Sequence, residues 1–401
     1  MRCLRLRSSR LSCLCLATLA LAPSYGCGDD GSADGLGGDS SSSAGDGTTG
    51  GSASMSATGQ SADTSGGVTG MSASGADSSG GPGDTSGGGT DTDTGAPGLG
   101  CVDEPFVNGG SPVGDYSMYD VPVGSHCNGT NQQDISEIER VVFLGDSVTV
   151  GTPPTGADEF YRTILANALA EQFGLEPPSS QWDSVNPIAG TSSVMESGAF
   201  ASCAVWGARN DDLMEQLGNC FAPEDFPMRT LVVFTMGGND GAAIAKDYLD
   251  GLPLADVLAE LDSMVLAHEQ AVQWLLEPDK FPNGVFVVNA NVYEFTDTTF
   301  DFLSCPTAGI AGFNSNPDMP EVLASSLQHI NSEYMRIAQE NGTDVVFMSE
   351  GFCGHGFHAD DAESACYRGP GNETWFDLTC IHPTPAGHAA LAQMFIDVIA
   401  E

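Results

Sequence analysis

The sequence predicts an α/β fold, a three-layer α/β/α sandwich built on a parallel sheet. Three observations lead there. Four apolar runs, residues 141–144, 231–234, 285–288 and 345–348, are rich in β-branched side chains and lack polar alternation, the pattern of strands buried on both faces. Helical spacing appears between and after them. Leu254, Leu258, Leu261, Val265, Val272 and Leu275 recur three or four apart behind Pro253, and Leu391, Phe395 and Val398 share one face behind Pro383 and Pro385. Finally, residues 101–401 are enough for one large core.

Residues 1–26 read as an export signal. Arg2, Arg5, Arg7 and Arg10 precede an apolar run at 11–23 that is too short to span a membrane. A small residue before Cys27, then Gly28-Asp29-Asp30, resembles a bacterial lipoprotein signal and implies lipidation of Cys27; Ser24 and Tyr25 depart from that pattern. The expected location is extracytoplasmic: an outer-membrane or cell-surface lipoprotein, or otherwise a secreted protein.

Residues 27–100 read as a tether. From 28 to 100 there is no aromatic residue, Lys, Arg, Glu or Cys, and ten Asp are scattered through Gly, Ser, Thr and Ala. Such a segment buries too little apolar surface to offset its ordering entropy. It is expected to be disordered, with an r.m.s. span of roughly 45–50 Å. Residues 101–401 are the expected folded domain.

Charge narrows the function. Twelve Lys+Arg face 54 Asp+Glu, a formal net charge of −42. That balance repels nucleic-acid phosphates and excludes a basic patch for anionic lipid, leaving an N-terminal lipid as the membrane contact. Without leader and tether, 44 acidic and 8 basic side chains remain, which suits a self-repelling monomer. Cys3, Cys13, Cys15 and Cys27 fall in the leader, and the other eight cysteines form an even set that reads as disulfides in an exported chain. Nearest-neighbour pairs, Cys101–Cys127, Cys203–Cys220 and Cys353–Cys366, are the preferred connectivity. With no CxxC and no Cys/His cluster at zinc spacing, no metal or other cofactor is expected.

Ligands of parallel sheets bind beyond the carboxyl ends of the strands. Gly145-Asp146-Ser147 follows the first apolar run, and Thr235-Met236-Gly237-Gly238-Asn239-Asp240 the second. Glycine there lets backbone and its N–H groups approach a substrate. Phe143-Leu144-Gly145-Asp146-Ser147, Gly237-Gly238-Asn239-Asp240 and Ile381-His382-Pro383, in that order, resemble the SGNH (GDSL-type) hydrolase family over residues 140–401. The resemblance implies a flavodoxin-like sandwich and hydrolysis of carboxylic esters through an acyl-enzyme, as lipase, esterase or carbohydrate deacetylase, on a lipid or an acylated glycan. A non-catalytic surface or carbohydrate-binding module on this scaffold, and an acyltransferase using the same residues, are the alternatives.

Carried over residue by residue, the resemblance makes Ser147 the nucleophile and His382 its general base. It makes the Ser147 N–H, the Asn239 side chain and a glycine N–H the oxyanion donors. Gly207 is preferred as that glycine because a helical Asp-Leu start follows it; Gly190 competes. The family's acid stands three residues before the histidine, where this chain has Thr379. Either Asp377, five before, reaches the ring, or a main-chain carbonyl near Thr379 orients it; Asp377 is preferred. His268 is expected as a half-buried packing residue, His355 and His358 in a stapled loop, and His388 in the first turns of the last helix. Asn289, Asn291 and Tyr293 are candidates to line the pocket, and Asp146 and Asp240 to brace turns.

Overall fold

The computed structural model describes residues 99–109 and 113–401. The export signal, Cys27 and the tether up to residue 98 lie outside the described residues. The central sheet contains β1 (Arg140–Gly145), β2 (Glu196–Ser197), β3 (Phe200–Ser202), β4 (Thr230–Thr235), β5 (Val285–Ala290) and β6 (Asp344–Val346). Their order across the sheet is β2-β3-β1-β4-β5-β6. All neighbours are parallel except the edge pair β2–β3. Every residue of β1 and β4 is buried, so both faces of the sheet are covered.

Two groups of helices cover them. Tyr161–Phe173 packs on Pro385–Ala400, while Leu213–Cys220, Gly238–Leu249 and Pro320–Asn341 pack against Leu254–Leu275. The result is the predicted α/β sandwich with a mostly parallel sheet. Leu254–Leu275 begins behind Pro253, and Pro385 occupies the first turn of the last helix, where a missing N–H costs nothing. Leu391, Phe395 and Val398 are buried, as their spacing predicts. Among the described residues no helix is long and apolar enough to cross a membrane.

One strand is shorter than its apolar run. β6 ends at Val346, and Met348 already opens the helix Met348–Phe352. The cause is a competing partner: the Phe347 N–H donates to the Asn128 carbonyl and the Ser349 N–H to Asn291 Oδ1. The same N-terminal segment covers the sheet edge through an antiparallel bridge from Gly129 to Val346 and the Thr130 N–H donated to the Val345 carbonyl, and so shields unpaired strand groups.

Cys101–Cys127, Cys203–Cys220, Cys353–Cys366 and Cys305–Cys380 are bonded. The first three are the nearest-neighbour pairs. The fourth spans 75 residues and joins two loops at the carboxyl rim of the sheet.

Candidate active site

Register places the motifs at one rim. Gly145 pairs with Thr235 and Thr235 with Ala290, so the turns after β1, β4 and β5 leave the sheet at the same level. Gly145 has φ +132°. A Cβ there would lie 2.4 Å from the Thr235 carbonyl oxygen and 2.6 Å from Thr149 Oγ1, which only glycine avoids. Asp146 then caps the short helix Ser147–Val150, its carboxylate accepting from the Val148 N–H at 2.9 Å. Ser147 therefore stands at a helix N-terminus, and its own N–H, with no intrahelical partner, is free to serve a ligand.

The partner histidine arrives from the end of the chain. Asp377 N–H donates to the His382 carbonyl and Thr384 N–H to the Trp375 carbonyl, closing a small hairpin bridged at Phe376 and Pro383. Tyr293 OH donates to the Ile381 carbonyl at 2.7 Å, and Cys380 anchors the hairpin to Cys305. So braced, His382 Nε2 lies 2.9 Å from Ser147 Oγ.

The other ring nitrogen corrects the expectation for Asp377. His382 Nδ1 meets the Thr379 side-chain hydroxyl at 2.7 Å, neither a carboxylate nor a main-chain carbonyl. Thr379 Oγ1 donates in turn to Asp377 Oδ1 at 2.5 Å, and the Thr379 N–H to the same oxygen at 2.7 Å. Five residues of hairpin leave Asp377 one hydroxyl short of the ring. The carboxylate can only accept, so the hydroxyl proton points to it and the Thr379 oxygen accepts from Nδ1–H. That tautomer leaves Nε2 with its lone pair toward Ser147. Sequence reasoning weighed position 379 for its main chain only; the available signal was a hydroxyl, able to accept and donate at once, in the acid's place.

Asn239 lies in the first turn of Gly238–Leu249, behind Gly237 at φ +114°, where a Cβ would meet Tyr334 Oη at 2.7 Å. One proton of Asn239 Nδ2 goes to the Ala208 carbonyl at 3.0 Å, leaving the second unspent. This bond puts the amide beside Gly207, which is exposed, with φ +77°. Gly190 is differently placed: it is buried and its N–H is already given to the Asn186 carbonyl at 2.8 Å.

Behind this loop is a buried polar cluster. Asp240 accepts from the Asn210 backbone and side chain at 3.1 and 3.2 Å, Asn210 Nδ2 also reaches Tyr334 Oη at 3.0 Å, and His268 Nδ1 contacts Asn210 Oδ1 at 3.2 Å. His268 stacks on Tyr334 with centroids 3.8 Å apart and is fully buried rather than half-buried. It is a strut for the loop bearing Gly207, a role its apolar stripe did not reveal. His388 lies in the last helix, with the Tyr161 N–H donated to its Nδ1, and His355 stacks on Trp375. Asn291 bonds Glu350 and Tyr116 and, like Asn289, does not line the pocket; Tyr293 does.

Burial sets the charges. It lowers His382 to about 4, so the ring is neutral at pH 7, and raises Asp377 against the two Thr379 bonds. Asp146 is pushed up to about 7, by burial first and by the nearby Asp240 second, and Asp240 to about 6 by burial. Ser147, Asn239 and His382 open on a cleft of about 130 Å³ whose walls include Phe295, Phe300, Phe302, Phe313, Leu327 and Ile330. Among the described residues no group of three or more His, Cys, Asp or Glu is arranged to hold a metal ion.

The sequence profile of the GDSL-like lipase/acylhydrolase family matches residues 143–390. The chain belongs to that family. The match takes in Ser147, Asn239 and His382, so the three motifs of this GDSL-like chain lie within one family domain. No curated protein sequence matches it. Similar solved structures include phospholipase A1 from Streptomyces albidoflavus NA297, 17% identical, covering 64% of this chain and 98% of its own, with a TM-score of 0.39. The extracellular lipase of Streptomyces rimosus is 16% identical, covering 65% and 99%, with a TM-score of 0.39. Est24, a carbohydrate acetylesterase from Sinorhizobium meliloti, is 12% identical, covering 65% and 98%, with a TM-score of 0.34.

Proposed function

We propose that this GDSL-like chain is an extracytoplasmic carboxylic-ester hydrolase acting through an acyl-enzyme on Ser147. The observation that carries the reading is the unbroken row from Ser147 Oγ through both nitrogens of His382 to the Thr379 hydroxyl and Asp377, opening on an apolar cleft. Neutral Nε2 takes the Ser147 proton as Oγ attacks the ester carbonyl. The imidazolium so formed is held at Nδ1 by Thr379, whose polarisation toward Asp377 rises with the charge. Charge on the carbonyl oxygen falls to the Ser147 N–H, the Gly207 N–H and the free proton of Asn239. Nε2–H then protonates the leaving alkoxide, and water repeats the cycle on the acyl-enzyme.

The cleft argues for the acyl side of the substrate. Its volume is near the roughly 150 Å³ of an apolar cavity that admits one benzene, so an acyl chain on the order of six carbons fills it. That favours short- to medium-chain esters over acetyl groups alone. Four disulfides agree with an oxidising compartment, reached through the export signal with Cys27 as anchor.

A fluorophosphonate probe tests the nucleophile: it should label the wild type and not Ser147→Ala. Nitrophenyl esters from acetate to palmitate should show maximal kcat/KM between butyrate and octanoate. A labelled serine with no hydrolysis, but with ester formed from an added alcohol, would assign acyl transfer instead.

A further inference from the structure

Residues 302–317 contain no charged side chain, in a domain that is otherwise densely acidic. The segment is a run of tight turns. Ala308 N–H donates to the Cys305 carbonyl, Ile310 to Thr307 and Phe313 to Ala308, and Asn316 Oδ1 closes it by accepting the Leu303 N–H at 3.0 Å. It has two sides. Phe302 and Phe313 stack with centroids 4.2 Å apart and line the cleft. Leu303 and Ile310 face solvent, 53% and 72% exposed. Leu378, 74% exposed, joins them from the His382 hairpin, because Thr307 Oγ1 donates to its carbonyl and Cys305 is bonded to Cys380. The flanking charges are Asp301, which contacts His358, the exposed Asp318 that directly follows the run, and Lys246, whose ammonium lies over the Phe313 ring.

We infer that this loop is a docking surface for an electroneutral lipid interface, which delivers ester substrate straight into the cleft. Exposed apolar side chains on a charge-depleted segment are marks of an interaction surface. The partner follows from two facts. An acidic domain is repelled by anionic lipid, and a basic protein partner would choose the carboxylates rather than a segment without them. The same turns form the wall of the cleft, so a chain leaving a lipid surface at Leu303 and Ile310 meets Phe302 and Phe313 next. The disulfide and the Asn316 closure hold the loop in shape, so docking orders little new chain. This inference rests on the ester-hydrolase reading for what is delivered, but not for the docking itself.

The test compares full chains carrying Cys27→Ala, so that no N-terminal lipid masks the loop, with and without Leu303→Ser/Ile310→Ser. Neither residue lines the cleft. The double variant should bind phosphatidylcholine vesicles at least about tenfold more weakly and hydrolyse a tributyrin emulsion correspondingly more slowly. Its rate on dissolved nitrophenyl butyrate should stay within about twofold of the parent, since a site intact in water shows an intact fold. Leu303→Trp/Ile310→Trp should bind the vesicles more tightly, which keeps the test open should the serine variant fail to fold. Unchanged vesicle binding in both variants would overturn the proposal, as would tighter binding to phosphatidylserine vesicles or a parent dimer that the serine variant dissolves. A parent that binds vesicles through this loop but cleaves no ester would keep the docking surface and remove the hydrolase reading.

Discussion

Thr379 presents its hydroxyl to His382 Nδ1 at 2.7 Å, at the position three residues upstream where the family resemblance calls for a carboxylate. The hydroxyl is a neutral contact with a charge behind it, and the two can be separated by substitution.

Replacing Thr379 by valine keeps the shape and leaves Nδ1–H without an acceptor. An unsatisfied donor costs about 1–3 kcal/mol, so Thr379→Val should lower kcat by about 10- to 100-fold with KM little changed. Thr379→Ser should recover most of the loss. Steady-state kinetics on a dissolved ester decide it, and a valine enzyme with wild-type kcat would leave Thr379 no part in positioning.

Asp377→Asn removes the charge but leaves an acceptor for the Thr379 hydroxyl. Hydrogen bonds to charged groups exceed neutral ones by about 1 kcal/mol, so a loss of about fivefold is expected. A direct triad carboxylate is worth up to about 10⁴ in the serine-protease case. A loss of that size would mean that Asp377 reaches the ring itself during reaction.

The pH profile follows from burial. A carboxylate on the ring would raise the acid limb above the usual value of about 6.5, the expectation if Asp377 paired with His382. With a neutral neighbour and a buried ring lowered to about 4, activity should persist through pH 6 and 5 and fall as pH drops through about 4. A kcat/KM profile with its acid limb above 6.5 would contradict the hydroxyl contact.

Stability should pass through a maximum near pH 6.5. Asp146 and Glu294, both pushed up to about 7 by burial, bind protons more readily folded than unfolded, so stability rises as pH falls from 8 through 7. Below about 6.5 the unfolded chain gains protons at histidines that the fold keeps neutral, His382 at about 4 and His268 and His388 at about 3, and stability declines. Melting temperatures between pH 4 and 9 check the order, and Asp146→Asn should flatten the alkaline side.

On the proposed mechanism, Asn239→Ala removes one donor to the developing oxyanion. The cost should be about 2.7–4 kcal/mol, or 10²–10³ in kcat, and an effect on KM alone would reduce Asn239 to substrate binding.

The strands and long helices were legible because burial on both faces leaves an unbroken apolar run and burial on one face leaves a 3–4 spacing, although Leu254 and Leu258 of the stripe read for Leu254–Leu275 are exposed and Val257 and Met264 are buried in that helix instead. Met348 broke the rule, since its run continues while an N-terminal carbonyl at Asn128 takes the next N–H; such a long-range partner leaves no local trace. Ser147, Asn239 and His382 stood out because their motifs resemble those of the family, and the first two follow Gly145 and Gly237, where close backbone approach demands glycine. Thr379 was hidden because a threonine looks alike whether it caps a turn or holds a ring. The Phe302–Phe313 pair was hidden because pocket walls and core share one composition.

Ser147 and His382 are 235 residues apart in sequence, which gives the site a timetable. Synthesis delivers Ser147, Asn239 and most of the sheet long before the His382 hairpin. An unfinished chain therefore carries a serine without a base. The hairpin is then fastened by Cys380 to Cys305, a bond that an oxidising compartment supplies. Closing that 75-residue loop removes about 4.5 kcal/mol of chain entropy from the unfolded state. On the proposed mechanism, competence is thus reached last, once the hairpin has been both synthesised and bonded.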